Sequence, residues 1–283
     1  MAVAFEEHLV ELSDVTLYVR RYGHADTPPL VIVHGGPSWD HSYLLPAVAD
    51  LADIREVVLF DLRGCGRSSR HLPLDAYGPE HQIEDLGGLV DWLGVDSVDL
   101  LGFSYGGVLA MGFLERHPAQ VDRLVLASTS AYHDYRSDLS ASAEYRRRTA
   151  MRAAADPALT GDEKVRHDAM RSAPLNLSSL DRLDEWRAVL SRVRFSDDWD
   201  LVREAGRYRS PMPADPAKVV REAGRPTLIL HGADDYGFPV QVAHRLHDAV
   251  PETRLTVLEN AGHMAHFECR DEWVGHVRRF LTS

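Results

Sequence analysis

The segment Leu100-Leu-Gly-Phe-Ser-Tyr-Gly-Gly-Val-Leu-Ala110 decides the fold that we predict for this chain. The apolar residues 98–101 predict a buried strand, and a helix is expected to open at Gly107 and Val108. Between them, a Gly-x-Ser-x-Gly turn is centred on Ser104. Such a turn holds the serine in a strained conformation, with its hydroxyl exposed above a sheet and the next helix N-terminus pointing at it. The segment therefore predicts a nucleophile at the carboxyl end of a strand.

Strands and helices alternate along the chain on both sides of this segment. A wholly apolar run typical of a strand buried on both faces lies at residues 30–33, and further strands are expected at residues 56–60, 123–127, 227–230 and 254–258. Helices are expected at residues 41–52, 79–93, 107–117 and 240–250, and from about residue 271. Residues 7–12 and 15–22 predict an antiparallel pair of strands ahead of this alternation. The pattern predicts an α/β fold with a mostly parallel, doubly wound sheet.

The alternation stops near residue 130 and returns near residue 223. Residues 131–222 are helical in character but are interrupted by prolines, and their charges nearly balance, with 17 basic and 16 acidic residues. The rest of the chain carries the acidic excess. We therefore predict a core made of residues 1–130 and 223–283, with residues 131–222 inserted as a helical cap.

Length and charge exclude several kinds of partner. The chain has 283 residues, 45% of them hydrophobic, and a net charge of −12, which argues against nucleic acid or an anionic membrane as the main partner. No apolar run is long enough to span a bilayer, and the N-terminus lacks the pattern of a signal peptide. Cys65 and Cys269 lie far apart in the sequence, without metal-ligand spacing. We expect a cytoplasmic protein with free thiols that acts on a small molecule, and we leave its oligomeric state open.

A serine hydroxyl needs an imidazole to take its proton and a carboxylate to hold that imidazole. Asp234 and Asp235 follow the predicted strand 227–230, and His263 follows the strand 254–258. Working groups in open α/β sheets lie beyond the carboxyl ends of the strands, so these residues are expected near Ser104. The chain order Ser, Asp, His is the one described for hydrolases with such a serine turn.

Histidine pairs at helical spacing raise the alternative of a metal site. His263 and His266 form one pair, and His244 and His247 form another. Neither pair has a third candidate ligand nearby in the sequence, whereas protein zinc sites use three or four ligands. We therefore predict no metal and no cofactor.

Four motifs together resemble the α/β-hydrolase family over nearly the whole chain. They are His34-Gly-Gly-Pro37, Asp61-Leu-Arg-Gly-Cys-Gly-Arg-Ser68, Gly102-Phe-Ser-Tyr-Gly-Gly107, and Gly232-Ala-Asp-Asp235 with Gly262-His263. The resemblance implies the α/β-hydrolase fold, Ser104 as nucleophile and His263 as base. It also selects Asp235 over Asp234 as the acid, because the family's acid commonly lies three residues after the glycine that ends its strand.

An oxyanion formed on the substrate needs two N–H donors. The backbone of Tyr105, directly after the serine, is expected to supply one. By resemblance, the second is the N–H of Gly36 in the His34-Gly-Gly-Pro37 motif, while the loop Asp61–Ser68 is expected to buttress the site.

Three functions remain open at this point. A serine at position 104 argues against a resemblance to epoxide hydrolases and haloalkane dehalogenases, which use aspartate there, and favours hydrolysis of a small ester, lactone or thioester through an acyl-serine. The first two motifs look most like the proline iminopeptidase branch, but Tyr236 stands where that branch has an acidic residue for the substrate amine. Glu185 or Glu204 in the cap could replace it. A ligand receptor or a non-hydrolytic biosynthetic catalyst is the third alternative.

Aromatic and sulfur-containing side chains near the strand ends and in the cap are candidates for a substrate pocket. We expect the pocket lining to include Trp39, Trp186, Phe238 and Met264, and Phe195 and Trp199 are further candidates. The alternative is that such aromatic residues pack the cap against the core.

Overall fold

The computed structural model describes residues 4–24 and 27–283 of the chain. Its sheet has eight strands in the order β1-β2-β4-β3-β5-β6-β7-β8. The strands are β1 (Phe5–Glu11), β2 (Thr16–Tyr22), β3 (Leu30–Val33), β4 (Val57–Phe60), β5 (Val98–Phe103), β6 (Val121–Ala127), β7 (Thr227–Gly232) and β8 (Arg254–Leu258). Strands β1 and β2 form an antiparallel pair and β2 is antiparallel to β4, whereas all other neighbours are parallel. The prediction of a mostly parallel α/β sheet is confirmed.

Twelve α-helices accompany the sheet in the described ranges. They are α1 (Leu45–Val48), α2 (Pro79–Leu93), α3 (Tyr105–Arg116), α4 (Arg136–Ala141), α5 (Ala143–Ala150), α6 (Gly161–Ser172), α7 (Leu183–Leu190), α8 (Asp198–Glu204), α9 (Pro216–Ala223), α10 (Gln241–Ala249), α11 (Ala265–Glu268) and α12 (Arg270–Leu281). Helices α4 to α9 all lie between β6 and β7, within or at the edge of the segment that we predict to be a cap. None of these helices is long and apolar enough to cross a membrane.

Apolar side chains on both faces of the sheet explain why the central strands read as continuous apolar runs. In β3, Val31 and Val33 belong to one buried cluster, and Leu30 and Ile32 belong to the other. Helices α2 and α3 cover the first face, and α1 and α12 cover the second. Burying both faces removes a large apolar area from water, at roughly 25 cal/mol per Å². The carboxyl ends of the parallel strands are thereby held along one edge.

Two predicted helix boundaries are wrong. The helix expected over residues 41–52 consists of a 3₁₀ turn (His41–Leu44), α1 and a second 3₁₀ turn (Ala49–Leu51). Pro46 in the first turn of α1 has no N–H to donate, so it starts a new helix instead of continuing one. Helix α3 begins at Tyr105 rather than at Gly107, because Ser104 itself makes the turn between strand and helix.

Candidate active site

Ser104 lies in a tight turn between β5 and α3. Its backbone has φ 54° and ψ −120°, a conformation that costs a non-glycine residue of order 1–3 kcal/mol. A Cβ on Gly102 would lie 2.5 Å from the carbonyl oxygen of Gly106, and a Cβ on Gly106 would lie 2.1 Å from that of Val33. Both glycines of the motif are therefore required sterically, and the strained serine is held by its surroundings.

Hydrogen bonds hold the backbone of the same turn. The Ser104 N–H donates to the carbonyl of Ala127 at 2.9 Å, which extends the pairing of β5 with β6. The Ser104 carbonyl accepts from the N–H of Gly107 at 2.9 Å and from the Thr129 hydroxyl at 2.6 Å. Sequence reasoning missed Thr129, although the polar run 128–130 directly after an apolar strand was a signal.

The structure brings Ser104, His263 and Asp235 together from the ends of three strands. The His263 Nε2 lies 3.0 Å from the Ser104 Oγ. On the other side of the ring, Nδ1 lies 3.0 Å from Oδ1 and 2.9 Å from Oδ2 of Asp235. Because the carboxylate accepts, the proton on the neutral ring belongs on Nδ1, and Nε2 is free to accept from the serine hydroxyl.

Asp235 is buried and has several donors. Its Oδ1 accepts from the backbone N–H of Gly237 at 2.7 Å and of Phe238 at 2.8 Å. The Nε2 of the fully buried His231 lies 3.3 Å from its Oδ2. Burial alone would raise the pKa of Asp235, but the facing His263 and the hydrogen bonds from His231 and His263 hold it well below its usual range. Asp235 is therefore a carboxylate.

The loop after β3 faces the serine turn. A Cβ on Gly35 would lie 2.6 Å from the Ser104 Cβ, so the loop approaches the serine as closely as glycine allows. The Gly35 N–H donates to the Tyr43 hydroxyl at 2.8 Å, and Gly36 has φ +57°. Across the described parts of the chain, no hydrogen bond uses the backbone N–H of Gly36 or Tyr105. Both groups are free to donate to a substrate.

Two hydrogen bonds of the His34 ring hold this loop in place. Its Nδ1–H donates to the Gly35 carbonyl at 2.9 Å, and its Nε2 accepts from the N–H of Leu62 at 3.0 Å. Burial lowers the pKa of His34, which keeps the ring neutral, as the bond from Leu62 requires. The histidine of the His-Gly-Gly-Pro motif thus ties the end of β3 to the loop after β4.

The loop Asp61–Ser68 contains a second buried histidine–aspartate pair. The Asp61 Oδ1 lies 2.6 Å from the His41 Nδ1 and accepts the His41 backbone N–H at 3.1 Å. Its Oδ2 accepts the N–H of Arg67 at 2.8 Å. Burial opposes the charge on Asp61, but His41 and these bonds hold its pKa below the usual range. The loop therefore clamps the segment that follows the Gly36 loop, consistent with the expected buttress.

Comparison with known proteins identifies the family. A family model for the alpha/beta hydrolase fold matches residues 28–268. The chain belongs to the α/β-hydrolase family. The match and the named relatives support hydrolase activity on this fold.

Relatives of this α/β hydrolase have several chemistries. It is 28% identical to a proline iminopeptidase of Lactobacillus crispatus, with 94% of each chain covered. It is 26% identical to a cis-3-alkyl-4-alkyloxetan-2-one decarboxylase of Shewanella oneidensis, with 99% of this chain and 89% of the relative covered. A thermophilic esterase of Thermogutta terrifontis has the same fold, with a TM-score of 0.74 and 22% identity over 99% of this chain and 98% of that one.

Neither of the two histidine pairs at helical spacing, 263/266 and 244/247, is arranged as a metal site. His263 uses one ring nitrogen toward Ser104 and the other toward Asp235. His266 lies behind it, with Nε2 3.3 Å from the Tyr43 carbonyl, and burial lowers its pKa to about 3. In the second pair, the His247 Nδ1 lies 3.0 Å from the hydroxyl of Thr253.

One other group of candidate ligands lies far from the serine along the chain. Among the described residues, only His71, Asp197 and Asp198 bring three such side chains together. The Arg70 guanidinium lies 3.8 Å from Asp197 and 3.6 Å from Asp198. Because this cation already offsets the carboxylate charge, the group is better explained as a structural ion-pair cluster.

The four expected pocket residues differ in how much of each side chain is exposed. Trp39 packs against Gly36, where a Cβ would lie 3.3 Å from its ring, and Phe238 lies 5.6 Å from the His263 ring between centroids. Both are partly exposed beside the site. Trp186 has no exposed surface, so it packs between Tyr43 and Phe267 instead of lining an open pocket, which corrects our expectation. Met264 is 3% exposed and also contributes to the core.

One segment of the predicted cap is hydrogen-bonded directly to the loop that carries His263. The Asn176 carbonyl accepts the N–H of Met264 at 3.0 Å. The Glu268 carboxylate accepts from Gly262 at 2.7 Å and from Ser178 at 2.8 Å. Sequence reasoning missed Glu268, whose position five residues after His263 gave no motif. These bonds fix where His263 stands.

The position of Tyr236 bears on the iminopeptidase alternative. Tyr236 follows Asp235 directly in the chain, and the Arg148 guanidinium lies 4.7 Å from the centroid of the Tyr236 ring. Glu204 pairs with Lys164 at 3.0 Å, and Glu185 pairs with Arg182 at 2.8 Å. Both glutamates are exposed ion-pair partners. A cation therefore lies beside Tyr236, where the iminopeptidase branch is expected to have an acidic residue.

Proposed function

We propose that this α/β hydrolase cleaves a small ester, lactone or thioester through an acyl-serine. The observation that carries the proposal is the 3.0 Å contact between the His263 Nε2 and the Ser104 Oγ, with Asp235 on the other face of the ring. Hydrogen-bond reach from nucleophile to base and from base to carboxylate is the arrangement that activates a serine.

In the proposed reaction, His263 takes the proton of Ser104 as the Oγ attacks the substrate carbonyl. The N–H groups of Gly36 and Tyr105 bind the oxyanion that forms, and the N-terminus of α3 adds its dipole. His263 then gives the proton to the leaving group as its bond to the acyl carbon breaks. Water that His263 deprotonates attacks the acyl-serine, and His263 returns this proton to the Ser104 Oγ as the acyl–oxygen bond breaks. Asp235 orients His263 and stabilises its charged form throughout.

An amine-bearing substrate fits the site less well than a neutral one. The iminopeptidase alternative draws support from the Lactobacillus relative and from the first two motifs. It needs a carboxylate for the substrate amine, yet Arg148 stands over Tyr236, and Glu185 and Glu204 are occupied by other cations. Arg148 is paired with Glu144 at 2.6 Å, which offsets part of its charge. We favour an acyl substrate without a free amine because Tyr236 stands where the iminopeptidase branch is expected to have an acidic residue.

The third alternative is a role without hydrolysis. The decarboxylase relative supports it, since that protein shares 26% of its sequence with this chain over 99% of the chain. Free Cys65 and Cys269 agree with the expected cytoplasmic location, which remains part of the proposal.

Labelling with a fluorophosphonate tests the proposal. The parent protein and Ser104→Ala are incubated with a small, uncharged probe, and their intact masses are measured. One adduct on the parent and none on the variant is expected, followed by turnover of esters or lactones but not of a prolyl arylamide. A folded parent that stays unmodified would overturn the proposal, and turnover of the prolyl arylamide would favour the iminopeptidase.

A further inference from the structure

A second histidine, His231, contacts the carboxylate that holds His263. It is the second-last residue of β7, four residues before Asp235, and is fully buried. Its Nε2 lies 2.8 Å from the Phe238 carbonyl and 3.3 Å from the Asp235 Oδ2. A carbonyl oxygen only accepts, so Nε2 carries a proton, which it donates to Phe238; the Asp235 Oδ2 lies 3.3 Å from the same nitrogen.

Besides His263, the two oxygens of the Asp235 carboxylate have different neighbouring donors. Oδ1 accepts the backbone N–H groups of Gly237 and Phe238, and both oxygens face the His263 Nδ1. Among the described side chains, His231 is the one besides His263 that contacts this carboxylate. Because Asp235 is buried, each N–H aimed at it offsets part of the large cost of removing its charge from water.

His231 also closes the turn that carries the acid. Its bond to the Phe238 carbonyl spans the same residues whose N–H groups bind Asp235. The imidazole is thus packed between the end of β7 and the 235–238 turn. Loss of this ring's N–H would release the turn and the Oδ2 atom together.

We propose that His231 is a positioning residue that acts on His263 through Asp235, and that it sets the basicity of His263. The inference rests on the proposed serine chemistry. Withdrawing electron density from Oδ2 weakens the pull of Asp235 on the His263 proton, so His231 keeps His263 neutral, and able to act as a base, to lower pH. The low pKa of Asp235 agrees with this arrangement.

Other titratable groups surround the same pair. Tyr135 faces Asp235 from the beginning of α4, and His266 faces His263 from α11. On the acid's own loop, the Asp234 carboxylate accepts from the Ser178 hydroxyl, and Tyr236 lies under Arg148. No hydrogen bond in the described ranges joins any of these groups to Asp235.

The test measures how fast a fluorophosphonate labels Ser104 as a function of pH. This rate needs His263 in its neutral form but does not require the natural substrate. We compare the parent with His231→Leu, which removes the donor, and with His231→Gln, whose amide N–H can replace Nε2–H. In H231L the labelling rate is expected to fall about tenfold, the cost of one bond to a charged group. The acid limb of its profile, followed between about pH 5 and 9, should move to higher pH. H231Q should stay close to the parent.

A matched control is His41→Leu, which makes the same donor-removing change in the buried His41–Asp61 pair. H41L is expected to lower the melting temperature and leave the acid limb in place. H231M is measured beside H231L as a second donor-free variant in case leucine prevents folding. An unshifted acid limb in the folded donor-free variants, or an equal shift in H231Q, would overturn the inference. Failure of the parent to react with the probe would instead overturn the proposed function.

Discussion

In the described part of this hydrolase, two buried histidines have Nδ1 beside a carboxylate, His263 with Asp235 and His41 with Asp61, and of the two it is His263 that faces a serine. His263 and Asp235 follow β8 and β7, whereas His41 and Asp61 adjoin β3 and β4. In both pairs Nδ1 lies within 3.0 Å of the carboxylate, and both carboxylates have pKa values below the usual range. The chemistry of the pair itself is therefore the same in the two places.

The difference lies at the other ring nitrogen. The His263 Nε2 meets the Ser104 hydroxyl, whereas the His41 Nε2 is buried without a partner among the residues described. The His41 ring stacks on Tyr18 at 5.7 Å. The comparison teaches that a histidine–aspartate pair becomes a candidate base only where the fold supplies a nucleophile. Otherwise it is a clamp between loops.

The sharpest way to break this comparison is to replace each histidine with glutamine. His263→Gln removes the base and should lower the turnover of an aryl ester by about 10⁴-fold or more. H41Q keeps an N–H toward Asp61 and should remain within about tenfold of the parent. Steady-state kinetics, with circular dichroism to verify folding, measures both. Equal losses in the two variants would contradict the division into base and clamp.

The second comparison concerns the carboxylates. Asp235→Asn should lower turnover by about 10³- to 10⁴-fold, because an amide cannot stabilise the charged imidazole. Asp61→Asn should instead destabilise the fold by about 1–3 kcal/mol, through lost hydrogen bonds to a buried charge. Turnover and urea unfolding are measured on both variants. A catalytic defect in D61N larger than its loss of stability explains would show that the clamp also shapes the site.

A smaller effect is expected where the nucleophile itself is held. Thr129→Val keeps the side-chain shape but removes the hydroxyl that donates to the Ser104 carbonyl at 2.6 Å. Loss of one such bond corresponds to a fall in turnover of about tenfold or less. The matched control is Thr253→Val, whose hydroxyl bonds to the Val250 carbonyl away from the serine. If T253V is as impaired as T129V, the turn does not depend on this bond.

The smallest effect concerns acid stability, in which the two pairs should behave alike. A carboxyl whose pKa is lowered on folding adds stability above its unfolded pKa of about 3.9 and loses it as the pH falls through the lower folded pKa. Asp61 and Asp235 both belong to this class. The melting temperature should therefore fall steeply below about pH 4. D61N should lose fewer degrees over that range than the parent, and an unchanged slope would argue against a lowered pKa for Asp61.

Much of the architecture could be predicted from local patterns. Residues 30–33 read as a strand because both faces are covered, so every position is apolar. The turn at Ser104 could be recognised because steric contact leaves only glycine at positions 102 and 106. The helix over residues 41–52 could not be predicted correctly, since apolar spacing does not report where Pro46 restarts the hydrogen-bond ladder.

The supporting residues of the site escaped sequence reasoning for a different reason. Thr129, His231 and Glu268 each act through contacts that join distant parts of the chain or close a local turn. Their residue types are common, and apart from the polar run 128–130 no pattern marks them. Trp186 fits a pocket by its type, but only its packing between Tyr43 and Phe267 reveals that it has no free surface.

Local patterns along the chain are enough to predict the order of strands and helices, the strained serine turn and the residue types that could serve it, because these follow from burial periodicity and local sterics. The tertiary structure decided which imidazole meets the serine. His41 and His263 are chemically equivalent residues, and each has a carboxylate beside Nδ1. Strand order alone does not select between them, because β3, which precedes His41, pairs directly with β5, whereas β8 lies three strands away. The path of the loop after β8 brings the His263 Nε2 to 3.0 Å from the Ser104 Oγ, since a hydrogen bond reaches about 3 Å however far apart two residues lie in the chain.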